Sequence, residues 1–274
     1  MALASRLKWL VALVLIPAAA TFVPVVVSAD HALGYHWKRT SVAEVVLELG
    51  DNVSSLWVPY LGAAAGDWDQ SFDLDVSVVP GAVTPRSCKP KNGRIEVCNA
   101  AYGNNGWLGL ARLWTTGLHI TSASVQLNDT YFIEAYGYDT PAWRQFVTCQ
   151  ELGHVFGLDH TDEDVANPNQ GTCMDYTSQP AGGGPWGDPN TSPNQHDYEE
   201  LVRIYAHTDT DGSRGGGRSG APAGIIRFDP DLDDLPSSLQ DDTLGDLIRK
   251  TRRGELYRLN LGNGSSVLTF LIRA

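Results

Sequence analysis

The chain has 274 residues, 42% of them hydrophobic, and a formal net charge of −12. It is long enough to bury a real core, as one sizeable domain or a domain with a small appendage. An acidic surface of this size repels nucleic acid and anionic lipid, so neither is an expected partner.

At the N-terminus, Arg6 and Lys8 precede the apolar run "WLVALVLIPAAATFVPVVV", and "VSA" follows it. Basic residues, an apolar run and then small residues make the pattern of an export signal, with cleavage expected after Ala29. A retained membrane anchor is the alternative, but Pro17 and Pro24 interrupt the run. No other stretch is long and apolar enough to span a bilayer. Without Arg6 and Lys8 the charge moves to about −14, which suits an exported protein with no stable membrane association.

Past residue 30, "YHWKR" and "VVLELGD" read as short strands. "NVSSLWVPYLGAAAGDWDQ" reads as a helix with Asn52 or Ser54 as its cap, although Pro59 weakens that reading. "FDLDVSVV" alternates as a half-buried strand does, and "GWLGLARLW" and "HITSASVQLN" are two more strands joined by "TTG". The order predicts an α+β fold with a mixed sheet and helices on one side. "DTPAWRQFVTCQELGHVFG" is the clearest helix, with Thr140 as cap, Pro141 in the first turn and Gly157 as a left-handed stop. A loop rich in Asp, Asn, Gly and Pro follows, and "NQHDYEELVRIYAH" is a last amphipathic helix.

Composition changes after His207. The expected division is a signal over 1–29, a domain over 30–207, a flexible Gly-rich and acidic linker over 208–236, and a C-terminal extension over 237–274. The extension carries two strands around a Gly-Asn-Gly turn. A lone hairpin is marginal in water, so this one is expected to dock on the main domain or on a partner. A monomer is expected.

The four cysteines, Cys88, Cys98, Cys149 and Cys173, can oxidise after export, in three connectivities. Cys88 with Cys98 closes a short loop and reads as a hairpin staple. Cys149 with Cys173 then ties together two chemically interesting segments. No C-x-x-C spacing supports a four-thiolate metal site.

Those segments contain "CQELGHVFGLDH" and "GTCMDY". On a helix, Gln150 and His154 lie one turn apart on one face, roughly 6 Å along the axis, with Glu151 beside them. Gly157 permits a sharp turn that carries His160 back to the same face. His154 and His160 are therefore candidate ligands for one Zn²⁺, with Glu151 next to the open position. Zinc lowers the pKa of bound water, and a neighbouring carboxylate can take its proton and pass it to a leaving amine.

"QELGHVFGLDH" resembles the metzincin zinc signature H-E-x-x-H-x-x-G-x-x-H with Gln150 in place of the first His. "GTCMDY" resembles the Met-turn of that superfamily, with Met174 as the supporting residue. Its Met-x-Tyr form, with Tyr176, is similar to astacin-like and serralysin-like members, where the Tyr lies near zinc and helps stabilise the oxyanion. The resemblance spans about Gly34 to His207 and is nearest to bacterial matrixin-like proteins. It implies a secreted zinc endopeptidase acting on protein or peptide substrates. It also implies that "GWLGLARLW" and "HITSASVQLN" include the edge strand that pairs with extended substrate.

Gln150 departs from the pattern, and three accounts of it stand. Its amide oxygen binds zinc as a weaker ligand than imidazole; or His119 or His196 substitutes; or no catalytic metal is held and the fold binds an extended peptide or protein partner. Plainer roles stand beside each assignment: core packing for Met174, a hydrogen-bonded core residue for Tyr176. Asp162, Glu163 and Asp164 read as a solvated acidic loop before a Ca²⁺ site. Trp57, Trp68, Trp107, Trp114 and Trp143 read as core.

Overall fold

The computed structural model describes residues 31–209 and 244–274. The expected export signal, and nearly all of the expected linker, lie outside the described residues. The elements in chain order are β1 (His36–Trp37), β2 (Val45–Asn52), α1 (Val58–Trp68), β3 (Leu74–Pro80), β4 (Ile95–Ala100), β5 (Trp107–Thr116), β6 (His119–Asn128), α2 (Pro141–Val155), α3 (Gln195–Ile204), β7 (Asp246–Lys250), β8 (Gly254–Gly262) and β9 (Ser265–Arg273). Among the described residues, no helix is long and apolar enough to cross a membrane.

Among the described residues, nine strands join one mixed sheet, in the order β3-β2-β4-β6-β5-β9-β8-β7, with β1 paired to β6. The β3-β2-β4-β6 half is parallel. From β6 through β5, β9, β8 and β7 every pairing is antiparallel. The alternation read in "FDLDVSVV" is real: Leu74 and Val76 are buried while Asp75 and Ser77 are exposed. Strands β5 and β6 form the hairpin expected from "TTG", in register from Gly109↔Leu127 to Thr116↔His119.

Three expectations need correction. Helix α1 has no side-chain cap; Trp57 is its N-cap, Asn52 belongs to β2, and Ser54 contributes its backbone carbonyl to Trp57 N–H at 2.8 Å. Pro59 does not break this helix because it falls in the first turn, where a missing N–H has no partner to lose. The segment from Cys88 to Cys98 is not a hairpin. Its second half is β4, a strand parallel to both neighbours. That strand is buried along its length, so its sequence lacks the alternation that marks a half-exposed strand. Finally, β5 is not an edge strand, because β9 pairs along its whole other side.

The core lies between the sheet and the helices. Leu61, Ala64, Ala65 and Trp68 form the buried face of α1, at helical spacing. They join one cluster with Phe146, Leu152 and Phe156 of the α2 region and with Leu268, Phe270 and Ile272 of β9. The C-terminal hairpin thus docks on the main sheet and supplies part of its core. The five tryptophans expected to be internal are all buried. Helix α3 starts on a capping box, in which Asn194 accepts from the Asp197 N–H and Asp197 accepts from the Asn194 N–H.

Two disulfides are present, Cys88–Cys98 and Cys149–Cys173, each with a Cα–Cα distance of 5.9 Å. The second joins the middle of α2 to the segment before Met174 across 24 residues. Closing a loop of that length restricts the unfolded chain by about 3 kcal/mol. Replacing Cys149 and Cys173 together by Ser is expected to lower the unfolding free energy by about that amount, read from urea titration; a loss below about 1 kcal/mol would refute the assignment of a stabilising cross-link.

Candidate active site on helix α2

Helix α2 begins where the extended Thr140 accepts the Trp143 N–H through its side chain. It ends in a reciprocal pair of bonds, Gly157 N–H to the His154 carbonyl and Leu158 N–H to the Gly153 carbonyl, both 3.1 Å. That motif needs a left-handed residue, and Gly157 has φ 106°. A Cβ there would also collide with the Tyr35 carbonyl oxygen. The chain then folds back, held by Leu33 N–H to the Gly157 carbonyl at 2.9 Å.

The reversal brings His160 to His154, with ring centroids 4.5 Å apart. Thr161 N–H donates to the Met174 carbonyl at 2.9 Å and Tyr176 N–H to the Asp162 carbonyl at 3.0 Å. This short pairing lays the Met174–Tyr176 segment beside His160, whose ring is 4.1 Å from that of Tyr176. Met174 is fully buried against Gly153, where any Cβ would overlap its sulfur. The sequence-predicted residues Glu151, His154, Gly157, His160, Met174 and Tyr176 therefore belong to one neighbourhood.

Gln150 is fully buried. Its Nε2 donates to the Cys173 carbonyl at 3.0 Å, while Oε1 has no hydrogen-bond partner. Both oxygens of Glu151 and both ring nitrogens of His160 are likewise buried and without hydrogen-bond partners. His154 Nδ1 lies 2.9 Å from the Leu158 carbonyl. That bond places the proton on Nδ1 and leaves Nε2 with a lone pair.

Burial pushes the Glu151 carboxyl well above the usual carboxylate range, and the neighbouring Ala111 backbone offsets it only in part. Burial, then the nearby His160, drive the His154 imidazole well below its ordinary value. Burial and the Glu151 charge raise Tyr176 well above its ordinary value. The neighbourhood thus favours a protonated Glu151 carboxyl, a neutral His154 imidazole and a neutral Tyr176 phenol.

Sequence reasoning missed what covers this site. Phe270 of β9 stacks on His154, ring centroids 4.3 Å apart and planes 15° from parallel. Arg249 of β7 bridges residues on either side of His160, with Nη1 2.8 Å from Asp159 Oδ2 and Nε 3.1 Å from Glu163 Oε1. Gly254 of β8 lies so close to Tyr176 that a Cβ would overlap the phenol oxygen. Gly109 of β5 faces Glu151; a Cβ there would be 2.5 Å from Oε1. The glycines are visible in the sequence, but nothing local marks which glycine faces what.

The alternative ligands are committed elsewhere. His119 Nε2 is 3.1 Å from Asp209 Oδ1, and His196 stacks on His31 at 4.8 Å. Among the described residues, the groups of three or more His, Cys, Asp or Glu donors close enough to share one ion are His31, His196 and Asp197, and His36, His119 and Asp209. Asp162, Glu163 and Asp164 form no such group; Asp162 accepts from the Asp164 N–H at 2.8 Å, and Glu163 pairs with Arg249.

The cover has its own pH sensitivity. Glu255 of β8 is held by Lys250 Nζ at 2.7 Å, by the Tyr257 hydroxyl at 2.7 Å and by Arg273. Burial works to raise its carboxyl, but those three hydrogen bonds outweigh it and hold it down at about 2, against an ordinary 4.5. A depressed carboxyl stabilises the folded state above its unfolded pKa and loses that contribution as pH falls toward the folded one. Thermal unfolding midpoints are therefore expected to fall between about pH 4.5 and about 2, and Glu255→Gln is expected to flatten that part of the profile. Identical profiles for variant and wild type would show that Glu255 contributes nothing to it.

No family model matches this chain, and no curated protein matches it. Among solved structures it is similar to High choriolytic enzyme 1 (HCE-1), a hatching enzyme zinc-protease from Oryzias latipes (Medaka fish). That match has 12% identity and a TM-score of 0.31, covering 62% of this chain and 94% of that one.

Proposed function

We propose that this chain is a secreted, metzincin-like zinc endopeptidase whose substrate groove is filled by its own C-terminal strand. One observation carries the reading. Gln150 Oε1, both Glu151 oxygens and both His160 nitrogens are buried without hydrogen-bond partners around one helix and its return. Leaving so many polar atoms unpaired is costly, and such concentrations mark places where a ligand or reaction uses them.

The donor set fits a zinc ion. His154, His160 and the amide oxygen of Gln150 would hold it, and all are buried. When bound, zinc supplies a Lewis acid that activates water and polarises a peptide carbonyl. The remaining work belongs to the chain. Glu151, whose carboxyl burial alone holds protonated, would have to be ionised in the working site; it would then accept a proton at its carboxylate oxygens and return it to the leaving amine. Tyr176, kept neutral by burial, offers its O–H to the developing oxyanion. Met174 supports the helix from below through its contact with Gly153.

A peptide reaches these groups only by displacing β9, which takes the antiparallel pairing along β5 and puts Phe270 over His154. The same occupancy favours a second reading, a silent site that holds its own strand. In that case the expected extended partner is this chain's C-terminus and not another protein.

Casein hydrolysis separates the two. Glu151→Ala is expected to lower kcat by about a hundredfold or more, in line with the loss of a general acid–base group. Arg249→Ala, which removes the clamp from Asp159 and Glu163, is expected to raise kcat/KM. Gln150→His is expected to tighten zinc binding with activity unchanged or higher. Activity equal in wild type and Glu151→Ala would sink the peptidase reading.

A further inference from the structure

A second cluster lies apart from α2. In the parallel pairing of β1 with β6, His36 stands opposite His119 in register. The chain leaving α3 brings His207 and Asp209 to the same place. His36 Nε2 is 3.4 Å, His119 Nε2 3.1 Å and His207 Nε2 3.3 Å from the single oxygen Oδ1 of Asp209. His207 Nε2 is also 3.2 Å from His36 Nε2.

We propose that His36, His119, His207 and Asp209 form a structural Zn²⁺ site that fastens the segment after α3 to β1 and β6. Tetrahedral zinc with bonds of about 2.0–2.1 Å has donor atoms about 3.3 Å apart. Four of the six donor–donor edges are 3.1–3.4 Å. All three imidazoles present the same nitrogen, Nε2. A hydrogen-bonded cluster accounts for this less well: one carboxylate oxygen has two lone pairs, and three ring nitrogens converge on it. One cation at the centre takes a lone pair from each group.

The surroundings support the ligands as metal sites require. Asp209 Oδ2 accepts the Arg39 N–H at 2.8 Å, and Asp209 N–H donates to the Arg39 carbonyl at 2.6 Å, which fixes the carboxylate. His36 and Asp209 are buried, whereas the His207 side chain is 52% exposed and leaves an entry path. Three imidazoles and one carboxylate select zinc over the oxygen-seeking Mg²⁺ and Ca²⁺. Four protein donors leave no open position, so the ion would stabilise and not catalyse. The site uses none of the residues assigned to peptide hydrolysis, and it stands or falls apart from that reading.

The test is made on the full exported chain, with zinc counted by mass spectrometry and Co²⁺ used as a spectroscopic probe. His154→Ala/His160→Ala is expected to retain zinc at this cluster, and to give the d–d absorption of four-coordinate Co²⁺. Adding His119→Ala to that background is expected to abolish both, and to remove the fall in Tm that a chelator otherwise causes. His207→Ala, at an exposed side chain that does not endanger folding, is expected to weaken zinc binding more than about a hundredfold, since even outer partners of metal ligands are worth ten- to a hundredfold. The proposal is overturned if His154→Ala/His160→Ala holds no zinc, or if folded His207→Ala binds it as tightly as its parent.

Discussion

The backbone of β5 is hydrogen-bonded on both sides, to β6 and to β9, and the cover over α2 depends on that double pairing. An unpaired strand edge beside a buried polar cluster would leave amides and carbonyls with neither water nor partners. Strand β9 removes that exposure and adds Leu268, Phe270 and Ile272 to the common core. Closing the edge therefore covers His154 with Phe270 in the same act. Gly109 makes the arrangement possible, because a side chain on that residue of β5 would occupy the space of the Glu151 carboxylate.

Burial then sets the electrostatics. Glu151 keeps both oxygens unpaired, and its carboxyl is pushed toward the protonated form. The nearest strong charges belong to Arg249, Asp159 and Glu163, one guanidinium paired with two carboxylates across the seam between β7 and the segment around His160. Here too burial works to raise Asp159, but the Arg249 hydrogen bonds and the neighbouring histidines bring it below the usual range. The seam is thus an ion-paired rim around a weakly charged interior.

The sequence exposed the local parts of this design and hid the long-range ones. Helix α2 was legible from end to end because its cap, first-turn Pro141 and stop at Gly157 are local signals. The α2 histidines and Glu151 were legible because helical spacing fixes their mutual placement. The β5–β6 hairpin was legible because two strand-like runs are joined by the short turn "TTG". Strand β4 was not, since a strand buried on both faces shows no alternation. Strand β7 lay beyond an acidic stretch and has mostly exposed residues. The placement of β9 on β5 joins residues about 150 positions apart, and no periodicity reports it. His36, His119, His207 and Asp209 are scattered singly along the chain, and only the β1–β6 register and the path after α3 bring them together.

Gln150 takes a different meaning in this frame. Its Nε2 donates to the Cys173 carbonyl, and its neighbour Cys149 is covalently bonded to Cys173. The middle turn of α2 is therefore fixed to the segment before Met174 by one disulfide and one hydrogen bond, both independent of any metal. Trp68 Nε1–H, donating to the Cys149 carbonyl at 3.1 Å, secures the same turn from α1. With Nε2 anchored, Oε1 is the only polar atom of the side chain left for a ligand, and its direction is set before one arrives. The position of this residue in the fold is therefore held by contacts that need no metal. The His36 cluster is the opposite case: there the segments that meet come from near both ends of the described domain, and no disulfide joins them.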